Sequence, residues 1–331
     1  MTKRDPGRPA ALSSGSVPEA LRTVRPRPKE GASRVGSFPA EGEGWGTCLE
    51  VGRHDSPEHL FRRLLSAYLA GADFFEVVER PRLTPASRQV VREFCRRTDR
   101  PEVVRDAGSS VRLAQLGDRA FGDVDRVLRR LGEQVVAFHR AAVDSWSRLP
   151  VDDDGLWEAR DDDIDREAWL LERRLGLERP RSGEDARRLL AAWTVARSLE
   201  RIADHGITLG KVGPRLAHLG ATGGPLRELR QFHQQAMRHL GEALHLADGA
   251  RANDLLDVGE ALMASGCALS EQLLPAVGDG SMSPAVAATV ARAFEAIVRT
   301  VAYGQDIAQA FLDRPALEPP AALAELSGRA L

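Results

Sequence analysis

Lysine is almost missing from this chain: Lys3, Lys29 and Lys211 are the only three in 331 residues, so the positive charge is carried by arginine. That bias is read as codon composition rather than chemistry. Cysteine is scarce too, at Cys48, Cys95 and Cys267, far apart and odd in number. No disulfide framework and no C-x-x-C zinc or redox motif can be drawn from them, which points to a reducing compartment. No run approaches the roughly 18 apolar residues of a membrane span, and Met1 to Pro6 lack the apolar core of a signal peptide, so a cytoplasmic protein is expected. Charge of one sign is absent as well: the formal net charge is -2 and the pI about 6.5. This excludes the strong basic excess of a general nucleic-acid binder and the strongly acidic surface suited to high salt. What remains, 43% hydrophobic and 28% charged residues, is an ordinary globular composition, and the length suggests about two domains.

The chain divides into four parts. Residues 1–55 are crowded with Pro, Gly, Ser and Arg without hydrophobic periodicity, and are expected to form a low-order, disordered tail. Up to Ala40 this tail has eight basic residues against three acidic, which suits a solvated leader or contact with nucleic acid or anionic lipid. Residues 56–118 read as a small α/β module. Leu60, Leu64 and Tyr68 share a helix face, Phe74 to Val78 form an apolar run, Thr84 with Pro85 opens a second helix, and two strands flank Gly108. Beyond Gly122 six helical segments are expected, at about 123–148, 155–176, 184–210, 225–248, 252–274 and 284–313, cut by Gly and Pro clusters including Gly213 with Pro214. Laying His205 on Tyr303, 98 positions later, also places Arg201 on Arg299 and Gly206 on Gly304. The fold class is therefore mainly α, with tandem three-helix bundles at 119–214 and 224–315.

Charge placement singles out one face. Asp161 with Asp165, and Glu200 with Asp204, are each four apart, so like charges share a helix face and repel by about 0.2 to 0.5 kcal/mol per pair. A hard cation such as Mg²⁺, Mn²⁺ or iron, held by carboxylates of facing helices, would compensate. A lattice of Arg160, Arg166, Arg197 and Arg201 would do so without metal. Spacing alone leaves both open.

The run Ala196, Arg197, Ser198, Leu199, Glu200, Arg201, Ile202, Ala203, Asp204, His205 resembles the signature helix of the PhoU family of phosphate-uptake regulators. Asp161 to Arg166 resembles that family's acidic motif on the preceding helix, and Arg299, Tyr303, Gly304, Asp306, Ile307 and Ala308 resemble a second copy of the signature. The layout of 56–118 is similar to the α/β segment of archaeal-type members. The resemblance implies a non-enzymatic, cytoplasmic and usually dimeric regulator. It would restrain phosphate uptake by acting on a phosphate ABC transporter ATPase, often with a sensor kinase, and would touch the membrane only through the transporter. It also implies that Asp161, Asp165, Glu200 and Asp204 are metal ligands, for a divalent or trivalent ion such as Mg, Mn, Fe or Zn. The positions matching Glu200 and Asp204 in the second repeat are Val298 and Ala302, so one metal site per chain is expected.

The alternative reading is a transcription regulator of phosphate or metal homeostasis, although residues 1–55 show no alternating strands of a DNA-binding hairpin. No nucleophile elbow, Gly-Lys-Ser/Thr loop or paired Glu-x-x-His motif supports an enzyme. His233, His239 and His245, six apart, point around a helix rather than to one face. Trp146, Trp157, Trp169 and Trp193 are expected to be core or interface anchors.

Overall fold

The computed structural model describes residues 45–52, 54–116, 123–147, 155–221, 224–246 and 249–313. Residues 1–44, most of the stretch read as a tail, lie outside them.

The α/β module runs β1 (Gly46–Glu50), α1 (Pro57–Leu69), β2 (Phe74–Val78), α2 (Pro85–Arg97), β3 (Pro101–Asp106) and β4 (Ser110–Gln115). The sheet order is β1-β2-β4-β3, with β1 parallel to β2 and the other pairs antiparallel. Strand β1 lies inside the stretch expected to be a low-order tail. It contributes one inward side chain, Leu49, and is held by its ladder to β2 rather than by a hydrophobic pattern of its own. Both helices start on the same device: Ser56 and Thr84 accept a hydrogen bond from the backbone N–H three residues on, followed by Pro57 and Pro85. Leu60, Leu64, Tyr68, Val90, Val91 and Phe94 then face Phe75, Val77, Val111 and Leu113 of the sheet. Phe94 sits at the middle, edge-on to Phe61, Tyr68 and Phe75 at 5.7 to 6.1 Å between ring centroids.

The helical region comprises α3 (Val124–Asp144), α4 (Leu156–Leu177), α5 (Gly183–His218), α6 (Gly224–Leu244), α7 (Gly249–Glu271), a short α8 (Leu273–Gly278) and α9 (Pro284–Leu312). Helices α3, α4 and α5 form one three-helix bundle and α6, α7 and α9 the other. They are not separated by a seam of solvent, since one continuous apolar cluster runs from Leu128 through Leu199 and Phe232 to Ala310. The break expected at Gly213 and Pro214 does not occur: α5 continues to His218 with Pro214 inside it. A proline there removes a backbone hydrogen bond and crowds the preceding turn. Trp146 packs against that turn, lying where a Cβ on Gly213 would clash and donating from Nε1 to the Leu209 carbonyl at 2.8 Å. Gly210 likewise admits the Trp157 ring, which a Cβ would approach to 2.7 Å.

The duplication is visible in the contacts. Helices α5 and α9 run antiparallel, with Arg215 Nε 3.2 Å from Thr289 Oγ1 at one end and Ala191 beside Ala310 at the other. At the crossing, His205 stacks on Tyr303 at 5.9 Å, so the two residues matched by the 98-residue offset meet each other, as they must on an approximate two-fold axis. His139 of α3 packs against Gly206, and His239 of α6 packs against Gly304, the matching glycine.

Candidate functional site

Helix α4 carries the acidic residues and faces two ways. Ile164, Ala168 and Leu171 point into the bundle, whereas Trp169 belongs to the apolar cluster of the α/β module. The module is seated on this second face. Arg173, only 1% exposed, donates from Nη1 to the carbonyls of Tyr68 (2.7 Å) and Ala72 (3.0 Å), where α1 ends and its last carbonyls need donors. Its guanidinium also lies 5.0 Å from the Tyr68 ring centroid. Gly71, between those carbonyls, has φ +89°, a conformation that costs glycine nothing, and a Cβ there would strike Leu177 of α4.

Beside this anchor lie the four carboxylates expected from the sequence, near enough for their charges to act on one another but not drawn into a ligand cluster. Asp161 and Asp165 are buried at 6% and 4% exposure, Glu200 is half-buried, and Asp204 sits at the exposed rim. Burial pushes Asp161 up to about 7, with the charge of Asp204 raising it further, and pushes Asp165 up to about 8, with Asp161 and Glu200 adding to it. Glu200 is raised for the same reason, while a hydrogen bond from the Trp169 indole opposes the rise. Oδ1 of Asp161 and Oδ1 of Asp165 are buried with no hydrogen-bond partner. A charge on such an oxygen is costly, and the raised proton affinity, which favours the neutral carboxyl, answers that cost.

Two further groups were not foreseen. Glu172, one more turn pair along the same face of α4, is 4% exposed and pushed up to about 7 by burial, with Arg197 3.9 Å away. Its seven-residue spacing from Asp165 was a usable signal. Arg97, at the end of α2, had none. Its Nη2 donates to Asp165 Oδ2 at 2.8 Å, and its Nε lies 2.8 Å from Asp162 Oδ1 without hydrogen-bonding geometry. Its guanidinium also stands over Phe61 and Trp169, at 5.2 and 5.3 Å from their ring centroids. Arg97 lowers the proton affinity of Asp161 and Asp165, so it is a cation for this seam. Of the arginines proposed as a lattice, Arg166 bonds Asp163 and the Arg96 carbonyl, and Arg201 bonds the Tyr303 hydroxyl across the two-fold.

The donor set is chemically suited to a hard cation, being oxygen only, with two oxygens unpartnered. Arg96 and Arg97 hold Asp162 and Asp165, and among the described residues no three His, Cys, Asp or Glu side chains are grouped so as to hold a metal ion. Val298 and Ala302 stand where Glu200 and Asp204 would, and Val298 lies against Gly266 of α7, where a Cβ would be 2.5 Å away. His233 and His239 are buried, and His233 stacks on His139 at 5.8 Å with the rings 4° from parallel. A groove of about 530 Å³ between α3, α6 and α7, lined by Arg140, Arg238 and Arg251, lies away from the acidic seam.

These features define a duplicated three-helix-bundle protein whose two halves share a core and whose first half alone carries an acidic inter-helix seam. Residues 128–211, across α3, α4 and most of α5, match the family model of the PhoU domain. A search among curated proteins finds no match to the chain. Among the described residues no helix is long and apolar enough to cross a membrane.

Proposed function

We propose that this protein is a non-enzymatic negative regulator of phosphate uptake, an adaptor that acts on a phosphate ABC transporter ATPase and its signalling partner from the cytoplasm, as a homodimer. The observation that carries this reading is the coincidence of the PhoU-domain match with the helices that build the acidic seam. Asp161, Asp165, Glu200 and Asp204 would hold a divalent or trivalent ion, of the Mg, Mn, Fe or Zn kind. Such an ion would supply positive charge between α4 and α5 and so alter what the seam presents to a partner. The chain's own residues supply the rest: Arg197 and Arg201 lower the proton affinity of Glu200, and Trp169 orients it.

An affinity pull-down of the tagged protein from its own cells, in phosphate-rich and phosphate-starved medium, tests the adaptor role. Recovery of a phosphate-transporter ATPase or sensor kinase that varies with phosphate supports it. Recovery of chromatin or polymerase components without a transporter would move the assignment to transcriptional control. The metal is tested separately: Glu200→Gln with Asp204→Asn should abolish bound metal and leave the helical content intact, and unchanged stoichiometry removes the ligand assignment.

A further inference from the structure

Three arginines from three different helices meet around one groove, away from the acidic seam. Arg140 comes from α3, Arg238 from α6 and Arg251 from α7, and the space between them is about 530 Å³. That size lies within the roughly 300 to 1,000 Å³ of ordinary small-molecule sites. The floor is apolar: Met237 and Leu255 belong to the bundle core, and Val258 is left 49% exposed. Two exposed carboxylates, Glu242 and Asp254, share the lining.

The protein leaves this groove chemically unfinished. Among the described residues Arg140 and Arg238 form no hydrogen bond or ion pair, although Glu242 stands one turn beyond Arg238 and Asp254 lines the same groove. Exposed arginines elsewhere do find carboxylates at such short range, as Arg166 does with Asp163 and Arg96 with Glu93. Gly241 is the second sign. Glycine inside a helix costs about 1 kcal/mol relative to alanine, and other helical glycines of this chain make room for a neighbour: Gly132 for Leu244, Gly206 for Phe138, Gly259 for Gln305 and Gly304 for His239. At Gly241 a Cβ would meet nothing within 4 Å, so no protein group uses the space, and that space is the groove.

The chemistry of the lining selects the ligand. Guanidiniums favour phosphoryl oxygens, which they grip with a planar fork. Inorganic phosphate alone would engage them but leave Val258 and most of the volume uncovered. A ligand with an apolar ring as well as phosphoryl groups would cover the floor, and Glu242 and Asp254 would accept hydrogen bonds from its hydroxyl groups. We propose that this groove binds a nucleoside phosphate, with Arg140 and Arg238 on the phosphoryl groups, the base over Val258, and Glu242 or Asp254 on the ribose hydroxyls. The groove is separate from the acidic seam, so this inference goes beyond the adaptor reading and does not depend on it.

The test is isothermal titration calorimetry of the full chain with ADP, with GDP and with sodium pyrophosphate. At least one nucleotide should bind roughly 10-fold tighter than pyrophosphate, which has the phosphoryl charge but no ring. Arg140→Gln and Arg238→Gln should each weaken nucleotide binding roughly 10- to 100-fold, the equivalent of one charge-assisted hydrogen bond. Gly241→Leu, which fills the groove without touching a charge, should abolish binding. Arg227→Gln, on an exposed part of α6 outside the groove, should leave it unchanged. Binding of neither nucleotide, or binding that survives both arginine variants, would overturn the site. An equal loss in Arg227→Gln would assign the effect to net charge and refute the groove, and pyrophosphate binding as tightly as both nucleotides would refute the nucleoside. If Gly241→Leu loses its helical content, the arginine variants decide alone, since neither Arg140 nor Arg238 bonds another group among the described residues.

Discussion

Replacing Arg173 by methionine keeps the length of the side chain and removes its charge and donors. The wild-type guanidinium makes two hydrogen bonds to backbone carbonyls, at 2.7 and 3.0 Å, each worth about 1.5 to 3 kcal/mol for a charged donor. Against that loss stands the cost of keeping an arginine dry, several kcal/mol that the variant no longer bears. The Tyr68 carbonyl keeps a second donor, the Gly71 N–H at 2.9 Å, so it is not wholly orphaned. The net expectation is a destabilisation of about 2 to 4 kcal/mol, a large share of the 5 to 15 kcal/mol typical of a folded domain. Urea unfolding followed by far-ultraviolet circular dichroism gives the total, and hydrogen exchange of residues 57–72 localises it. Loss of protection in α1 should exceed loss in α5, because the broken bonds end α1. Arg173→Lys should recover part of the stability through its point charge but not the stacking on Tyr68. A loss below about 0.5 kcal/mol, with α1 exchange unchanged, would refute the claim that this arginine fastens the module to α4.

Gly210→Ala should destabilise by about 1 to 2 kcal/mol in urea melts, because overpacking against Trp157 outweighs the roughly 1 kcal/mol that alanine gains in a helix. Gly241→Ala in α6, whose Cβ would meet nothing within 4 Å, should instead stabilise by about 0.5 to 1 kcal/mol; the same sign at both sites would refute the close-approach argument. Burial holds His139 down to about 4 and His233 to about 3, so the unfolded chain binds their protons first, and their contribution is whole above pH 6.5 and lost as pH falls toward 4. The raised carboxylates Asp161 and Asp165 pull the other way, so the comparison must isolate the ring: the stability gap between wild type and His233→Phe should shift by about 2 kcal/mol in favour of the variant from pH 7.5 to 5. Thermal melts at the two pH values with an unchanged gap would show that the imidazole is not buried neutral. Val298→Glu, which places in α9 the residue type of Glu200, should cost about 1 to 3 kcal/mol by circular dichroism, since it sets a carboxylate against Gly266 where Phe232 also packs.

Much of the scaffold was legible because it is local. Thr84 and Pro85 announce a helix start by cap and fixed φ, and Leu60, Leu64 and Tyr68 announce a face by their period. The acidic seam was legible for the same reason, since residues four apart on a helix must share a face. What escaped is what depends on partners distant in the chain. Strand β1 has one buried apolar residue and exists through its ladder to β2. Pro214 sits inside α5 next to two glycines on which Trp157 and Trp146 pack, contacts from distant segments that no local pattern encodes. Arg97 is an unremarkable cation near the end of a helix, one of two in the last turn, until the fold carries it over α4.

The stacked pair at the crossing of α5 and α9 carries a consequence for recognition. An exact repeat would put identical rings there, and a symmetric ligand could bind in either orientation. With an imidazole on one side and a phenol on the other, and the phenol bonded to Arg201, the junction has a polarity. The same asymmetry runs through the two bundles, with Glu200 and Asp204 in α5 where α9 has Val298 and Ala302. Duplication here gave the protein a direction rather than a second copy of the same surface.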